Sequence, residues 1–334
     1  MNTMMIQSEF QYLCNEKPED LQKRNQTCKF MFEFGLKVAR ISYEQKLKSL
    51  ALFHNFTAVN PISQIKDLEL LGLACIYVID KFENQNDNRD LKKFVKNYYC
   101  ITENNQNNED KVQAQQLQPS QSNKEQDINS ETQNSQTQNM NLNNNNQNNT
   151  QNHNVQKTQQ QQQSQDPQNV QLSKKEWLLQ EKNKLFESLS TQQIQNTIKS
   201  ILNYEQQILT KLNFNIDIEI SHYYIEEFKK SQLFPKDQHE SENISEKLTS
   251  MQNDIYRSTL CLYYEPQVIA LVVIEYVQLV LNMDWKGKSD QQQKWYQIFD
   301  KQQDYNVFQD AVTDFNNFLQ NIQKIQQQKQ QQQQ

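Results

Sequence analysis

Glycine is almost missing from this chain. Only Gly35, Gly72 and Gly287 occur in 334 residues, so the many tight turns of a β-sandwich or barrel have little to be built from. No GxGxxG or GxxxxGK run is present, which removes the glycine loops that cradle dinucleotides and nucleoside triphosphates. Cysteine is scarce and scattered, at Cys14, Cys28, Cys75, Cys100 and Cys261. The number is odd and no CxxC spacing exists, so neither a disulfide framework nor a zinc site is supported, and the thiols read as buried and free. A basic excess is also lacking: net charge is -6 and the pI about 5.4, which argues against a protein held to nucleic acid by phosphate contacts. The opening residues, MNTMMIQSEF, show no basic stretch followed by an apolar one, so no signal peptide is expected. No apolar run reaches the roughly 20 residues that a membrane span needs. The expectation is an intracellular chain that uses no metal and no cofactor.

What the chain has in abundance is glutamine and asparagine. From about 103 to 172 most residues are Gln, Asn, Ser or Thr, and the tail after Lys324 is nearly all Gln. Such stretches bury too little apolar surface to offset the entropy of ordering, so 103–172 and the tail 326–334 are expected to be disordered. They pull the mean hydropathy down to -0.96; the rest has the composition of an ordinary globular protein. Asn148-Asn149-Thr150 matches a glycosylation sequon, as chance predicts in an Asn-rich stretch.

Outside those tracts the apolar period is helical. Phe30, Met31, Phe34 and Val38 share one face, as do Leu47, Leu50, Ala51 and Phe53, and Ile201, Ile208 and Leu212. Ser42 with Gln45, and Ser190 with Gln193, have capping-box spacing, and Pro266 stands where a helix would begin. The pattern predicts helices near 5–13, 21–38, 43–58, 64–83, 90–101, 191–213, 220–231, 241–262, 266–283, 290–299 and 305–325, with a further one near 173–188. The best strand candidate, 214–220, is short and follows a long helix, so the fold class is all-α. Two segments, 68–82 and 268–281, are apolar nearly all round, with Asp80 and Glu275 among the interruptions. Each reads as the central helix of a bundle. Overlaying them sets Gly72 against Ala270 and Lys81 against Leu279, and suggests two copies of one five-helix unit.

The motifs in this order resemble the cyclin family. RNQTCKFMFEFG (Arg24–Gly35) resembles the first helix of a transcriptional cyclin box. ALFHNF (Ala51–Phe56) is similar to a segment that ends in HRF, and LGLACIYVIDKFEN (Leu71–Asn84) to the third helix with its KxEE ending. NYEQQILTKLNFNIDIEISHYYIEEF (Asn203–Phe228) resembles the junction between boxes. NDIYRSTLCLYYEPQVIA (Asn253–Ala270) and WYQIFD (Trp295–Asp300) resemble second-box segments of cyclins K, T and L. Asn55 stands for the Arg of HRF and Asn84 for the second Glu of KxEE.

The resemblance implies two tandem cyclin boxes. An N-terminal helix would occupy 1–20. A first box over 21–213 would carry the long Gln/Asn-rich insertion, and a second box would run over 214–325. It implies no catalysis by the chain itself. The function implied is a regulatory subunit that binds and activates a cyclin-dependent protein kinase, one phosphorylating the C-terminal repeats of RNA polymerase II, in the nucleus. No direct contact to nucleic acid or membrane is implied. Lys81 at the end of the third helix and Glu205 on the fifth would form the polar centre of the kinase interface, flanked by Phe82 and Leu209. A cyclin C-like coactivator subunit and a cyclin-fold scaffold without a kinase are the alternatives. A DNA-binding factor of the IIB type would need a basic inter-box surface and usually a zinc ribbon, and the sequence offers neither. His54, inside the HRF-like pattern, reads as a packing or capping residue, His222 as structural, and Asp254 with Arg257 as a helix-surface pair.

Overall fold

Helix α1 (Pro18–Phe34) starts with proline in its first turn, followed by Glu19 and Asp20. Proline's fixed φ and missing N–H suit that position, and the two acids favour the positive end of the helix dipole. Helix α2 (Tyr43–Val59) opens on a complete capping box. The Gln45 N–H donates to Ser42 Oγ at 3.0 Å, and the Ser42 N–H donates to Gln45 Oε1 at 2.8 Å. Asp67 caps α3 (Leu68–Glu83) by accepting from the Leu70 N–H at 2.9 Å. Asp90 does the same for α4 (91–100), accepting from the Lys92 and Lys93 N–H groups. A second full capping box, Ser190 with Gln193, opens α5 (Thr191–Lys211). In the second half lie α6 (His222–Lys230), α7 (Gln238–Ile255), α8 (Pro266–Leu281) and α9 (Tyr305–Gln332).

The computed structural model describes residues 17–35, 39–84, 90–100, 102, 189–283 and 295–332. All of them belong to one unit formed by Met1–Asn104 and Leu185–Gln334; the second unit, Asn105–Lys184, contains no described residue. The predicted helices at 5–13 and 173–188, and the expected disordered insertion at 103–172, fall outside the described residues. Among the described residues there is no strand, and 214–220 is extended chain leading into α6. The all-α class therefore holds.

Several boundaries differ from expectation. The N-terminal helix expected over 1–20 cannot end at 20, because 18–20 form the first turn of α1. The helix expected over 241–262 stops at Ile255. There the Arg257 and Ser258 N–H groups bond back three residues, and Ser258 Oγ donates to the Ile255 carbonyl. Such local bonds compete with helix continuation, and the chain passes into a 3₁₀ turn at Leu260–Leu262. In place of a helix over 290–299, the described part is a 3₁₀ turn, Trp295–Gln297. The tail expected to be disordered from 326 is helical through Gln332. Glutamine is a good helix former, and extending a helix already anchored by Phe308, Ala311 and Phe315 avoids the nucleation cost.

Two helices carry the core. Helix α3 packs against α1, α2 and α5, and α8 packs against α6, α7 and α9. Leu71, Leu73, Ala74 and Cys75 on α3, and Ala270, Leu271, Val272, Val273 and Ile274 on α8, are wholly buried. Each large aliphatic side chain so buried contributes about 1.5–3 kcal/mol. Gly72 lets α1 come close: a Cβ there would stand 2.7 Å from Met31 Cγ. The two helical groups meet along a polar seam. Tyr43 Oη on α2 donates to Asn253 Oδ1 at 2.9 Å and to the Thr249 carbonyl at 3.2 Å, and Arg257 Nε donates to Asn25 Oδ1 at 2.9 Å.

Candidate partner-binding site

Lys81 occupies the last turn of α3, where a cation complements the negative end of the helix dipole. Glu205 lies mid-way along α5, whose Ile201 and Ile208 turn into the core. With those two inside, Leu202, Glu205 and Leu209 fall on a neighbouring face, three and four residues apart. The two helices bring together residues 124 apart in sequence: Lys81 Nζ donates to Glu205 Oε1 at 2.7 Å. The lysine side chain is 49% exposed and the glutamate 13%. The Tyr77 ring lies beneath, its centroid 5.3 Å from Nζ. The bond to Glu205 holds the Lys81 amine above its ordinary range, so the lysine is charged at neutral pH.

Both helices expose apolar side chains. Phe82 is 44% exposed and Leu202 42%, while Leu209 is partly buried against the core. Phe214, just past α5, is 70% exposed and was not anticipated from the sequence. Its placement follows from how α5 ends. Asn213 takes a left-handed conformation (φ 50°), the Phe214 N–H donates to the Leu209 carbonyl at 2.7 Å, and the Asn213 N–H donates to that of Thr210 at 3.2 Å. This is a Schellman cap with asparagine in glycine's place, and asparagine after a helix pattern was the available signal. The C-terminal end of α8, overlaid on that of α3, carries exposed Leu279 and Val280.

The departures at Asn55 and Asn84 are accommodated differently. Asn84 Nδ2 donates to Asp80 Oδ1 at 3.0 Å, satisfying a buried carboxylate at the helix end. Asn55 is half-buried on α2. Beside them Lys48 bridges α2 to α3, 2.6 Å from Glu83 and 2.8 Å from Glu44.

His54 is wholly buried. Its Nε2 lies 2.9 Å from the Tyr256 carbonyl, and its Nδ1 lies 3.4 Å from Arg24 NH1. A carbonyl only accepts and a guanidinium only donates, so the ring is the neutral tautomer with its proton on Nε2. Burial first, then the Arg24 charge, push its pKa down to about 3. Arg24 also donates to Thr57 Oγ1. Cys28 Sγ stands 3.7 Å from Nε2; the proton of that nitrogen is engaged by the Tyr256 carbonyl and Cys28 is sealed from solvent, so the pair does not make a working nucleophile and base. His222 packs its ring against Tyr43, centroids 5.1 Å apart, and Arg257 NH1 meets Asp254 Oδ1 at 3.2 Å.

Among the described residues no group of three or more His, Cys, Asp or Glu could hold a metal ion, and no helix is long and apolar enough to cross a membrane. A cleft of about 550 Å³ between the start of α3 and α5 has a mixed lining that includes Asn60, Lys66, Asp67, Leu70, Ser200 and Tyr204. The arrangement around Lys81 is suited to binding: an ion pair with spare donor and acceptor capacity, set in exposed aromatic and aliphatic side chains. No protein-family model matches this chain, and no curated protein matches it.

Proposed function

We propose that the chain is a regulatory cyclin subunit that binds and activates a cyclin-dependent protein kinase, and that the kinase acts in the nucleus on the C-terminal repeats of RNA polymerase II. The observation that carries this reading is the meeting of Lys81 and Glu205 at 2.7 Å between α3 and α5. It stands on the sequence motifs that run in cyclin order from Arg24 to Asp300. The two helical groups, each arranged around one central helix, are consistent with two cyclin boxes.

In this mechanism Lys81 and Glu205 bond backbone groups at the end of the kinase's mobile helix. Lys81 has N–H groups left to donate and Glu205 has an oxygen left to accept. Phe82 and Leu209, with the exposed Leu202 on the same helix as Glu205, cover the apolar side of the kinase helix. Phosphoryl transfer requires the kinase's own Lys–Glu pair to be in place. A subunit that contacts only the active arrangement shifts the kinase toward it by the difference in contact free energy. The cyclin contributes no catalytic group. Affinity purification of the tagged full chain with mass spectrometry tests the reading. A co-purifying kinase that phosphorylates repeat peptides is expected, and recovery of no protein kinase would overturn the proposal.

A further inference from the structure

Lys46 is an anomaly of α2. It is 2% exposed, yet it makes no ion pair among the described residues. Its ammonium lies instead 3.5 Å from the centroid of Phe32, on α1, and 4.2 Å from that of Tyr43, one turn back on α2. Tyr43 is the side chain that ties the first helical group to the second. Its hydroxyl bonds the Thr249 carbonyl and Asn253 on α7, and its ring meets His222 on α6 edge to face. The cation, the ring and the seam are therefore in series.

Among the described residues no carboxylate pairs with the ammonium. Glu44, two residues earlier, is engaged by Lys48. The titratable groups around the cluster are Tyr43 itself, Tyr256 close behind it, and His222 across the ring. Both phenols are pushed above their ordinary range, mainly by burial, so neither ionises near neutral pH. Two aromatic faces attract the ammonium, but burial without a counter-ion penalises the charged form, so the site favours release of the proton.

We propose that Lys46 is a proton-responsive strut behind the seam: its ammonium holds the Tyr43 ring against the second helical group, and loss of the proton releases that hold. Burial lowers the Lys46 amine from its ordinary 10.5 to about 7, which brings the change into the intracellular range. The sign for the whole fold is opposite. Between about 7 and 10.5 the unfolded chain binds the proton and the folded chain does not, so stability rises with pH across that window and is flat below it. The Tyr43 hold thus weakens while the fold as a whole strengthens.

The test is NMR of the full chain with ¹³C-labelled lysine and tyrosine, titrated from pH 5.5 to 9. Lys46 Cε is expected to titrate with a midpoint near 7. The Tyr43 ring should shift with the same midpoint, in the wild type and in His222→Gln, and that step should vanish in Lys46→Met. A Lys46 that keeps its ammonium shift through pH 9 overturns the proposal. So does a Tyr43 step that persists in Lys46→Met or is lost in His222→Gln. Should Lys46→Met fail to fold, the wild type and His222→Gln decide between Lys46 and His222 as the source of the step.

Discussion

At the scale of residues the seam between the helical groups depends on a neutral histidine. His54 bonds a carbonyl of the second group through Nε2 and faces a buried guanidinium through Nδ1. Its folded pKa, about 3, lies far below that of an exposed imidazole, about 6.5. The unfolded chain therefore binds a proton over pH 3–6.5 that the folded chain refuses, and stability falls as pH drops through that window. His54 alone should remove about 2–3 kcal/mol between pH 7 and pH 4.5. Urea unfolding at the two pH values, compared with His54→Gln, measures it: the variant should be less stable at neutral pH and lose less on acidification. Equal acid losses in the two proteins would show that His54 is not held neutral. The sequence placed His54 as a packing or capping residue, but it could not give its partners, since Arg24 and Tyr256 reach it over separations of 30 and 202 residues. Lys46 was illegible for a related reason. In the stretch YEQKLK it reads as solvated, and only the convergence of α1 on α2 buries it.

At the scale of elements most of the fold is written locally. Both capping boxes, Ser42–Gln45 and Ser190–Gln193, formed as their spacing predicts, because each closes within one turn and needs nothing from the rest of the chain. The two central helices were legible because they are apolar on every side. The end of α7 was not, since the apolar pattern runs on past Ile255 while Ser258 diverts the backbone. The continuation of α9 to Gln332 was missed because composition signals low apolar content and says nothing of an anchored helix that can propagate. Leu71 and Ile269, at 0% and 1% exposure, test the two-bundle arrangement. Changing either to Asp leaves an unpaired charge in a dry core and should cost more than about 4 kcal/mol. Loss of soluble protein, or a collapsed melting transition by circular dichroism, is expected for both; native melting of either variant would remove that helix from the core.

At the scale of the whole molecule, helices α4 and α5 are joined through Asn105–Lys184 yet touch directly, with Tyr99 Oη 2.7 Å from Thr197 Oγ1. Deleting 105–170 shortens their connection from 90 to 24 residues. Closing the shorter loop costs about 1 kcal/mol less entropy, so the deletion should melt cooperatively and about 2–4 °C higher; a broad transition or a large drop would place part of that segment in the core. The meeting of Lys81 with Glu205 is the part of the site that no spacing rule could give. It came from the resemblance alone, whereas the exposed Phe214 needed the structure. Truncating one member of a desolvated charged contact costs roughly 2–5 kcal/mol of binding, and each 1.4 kcal/mol is tenfold in affinity. The decisive measurement is quantitative co-purification of the kinase with tagged wild type, Lys81→Ala and Glu205→Ala, with circular dichroism of each. The cyclin reading predicts that both variants keep the wild-type helical spectrum and lose about 30-fold or more of the bound kinase and its activity; two folded variants that retain the kinase in full would contradict it.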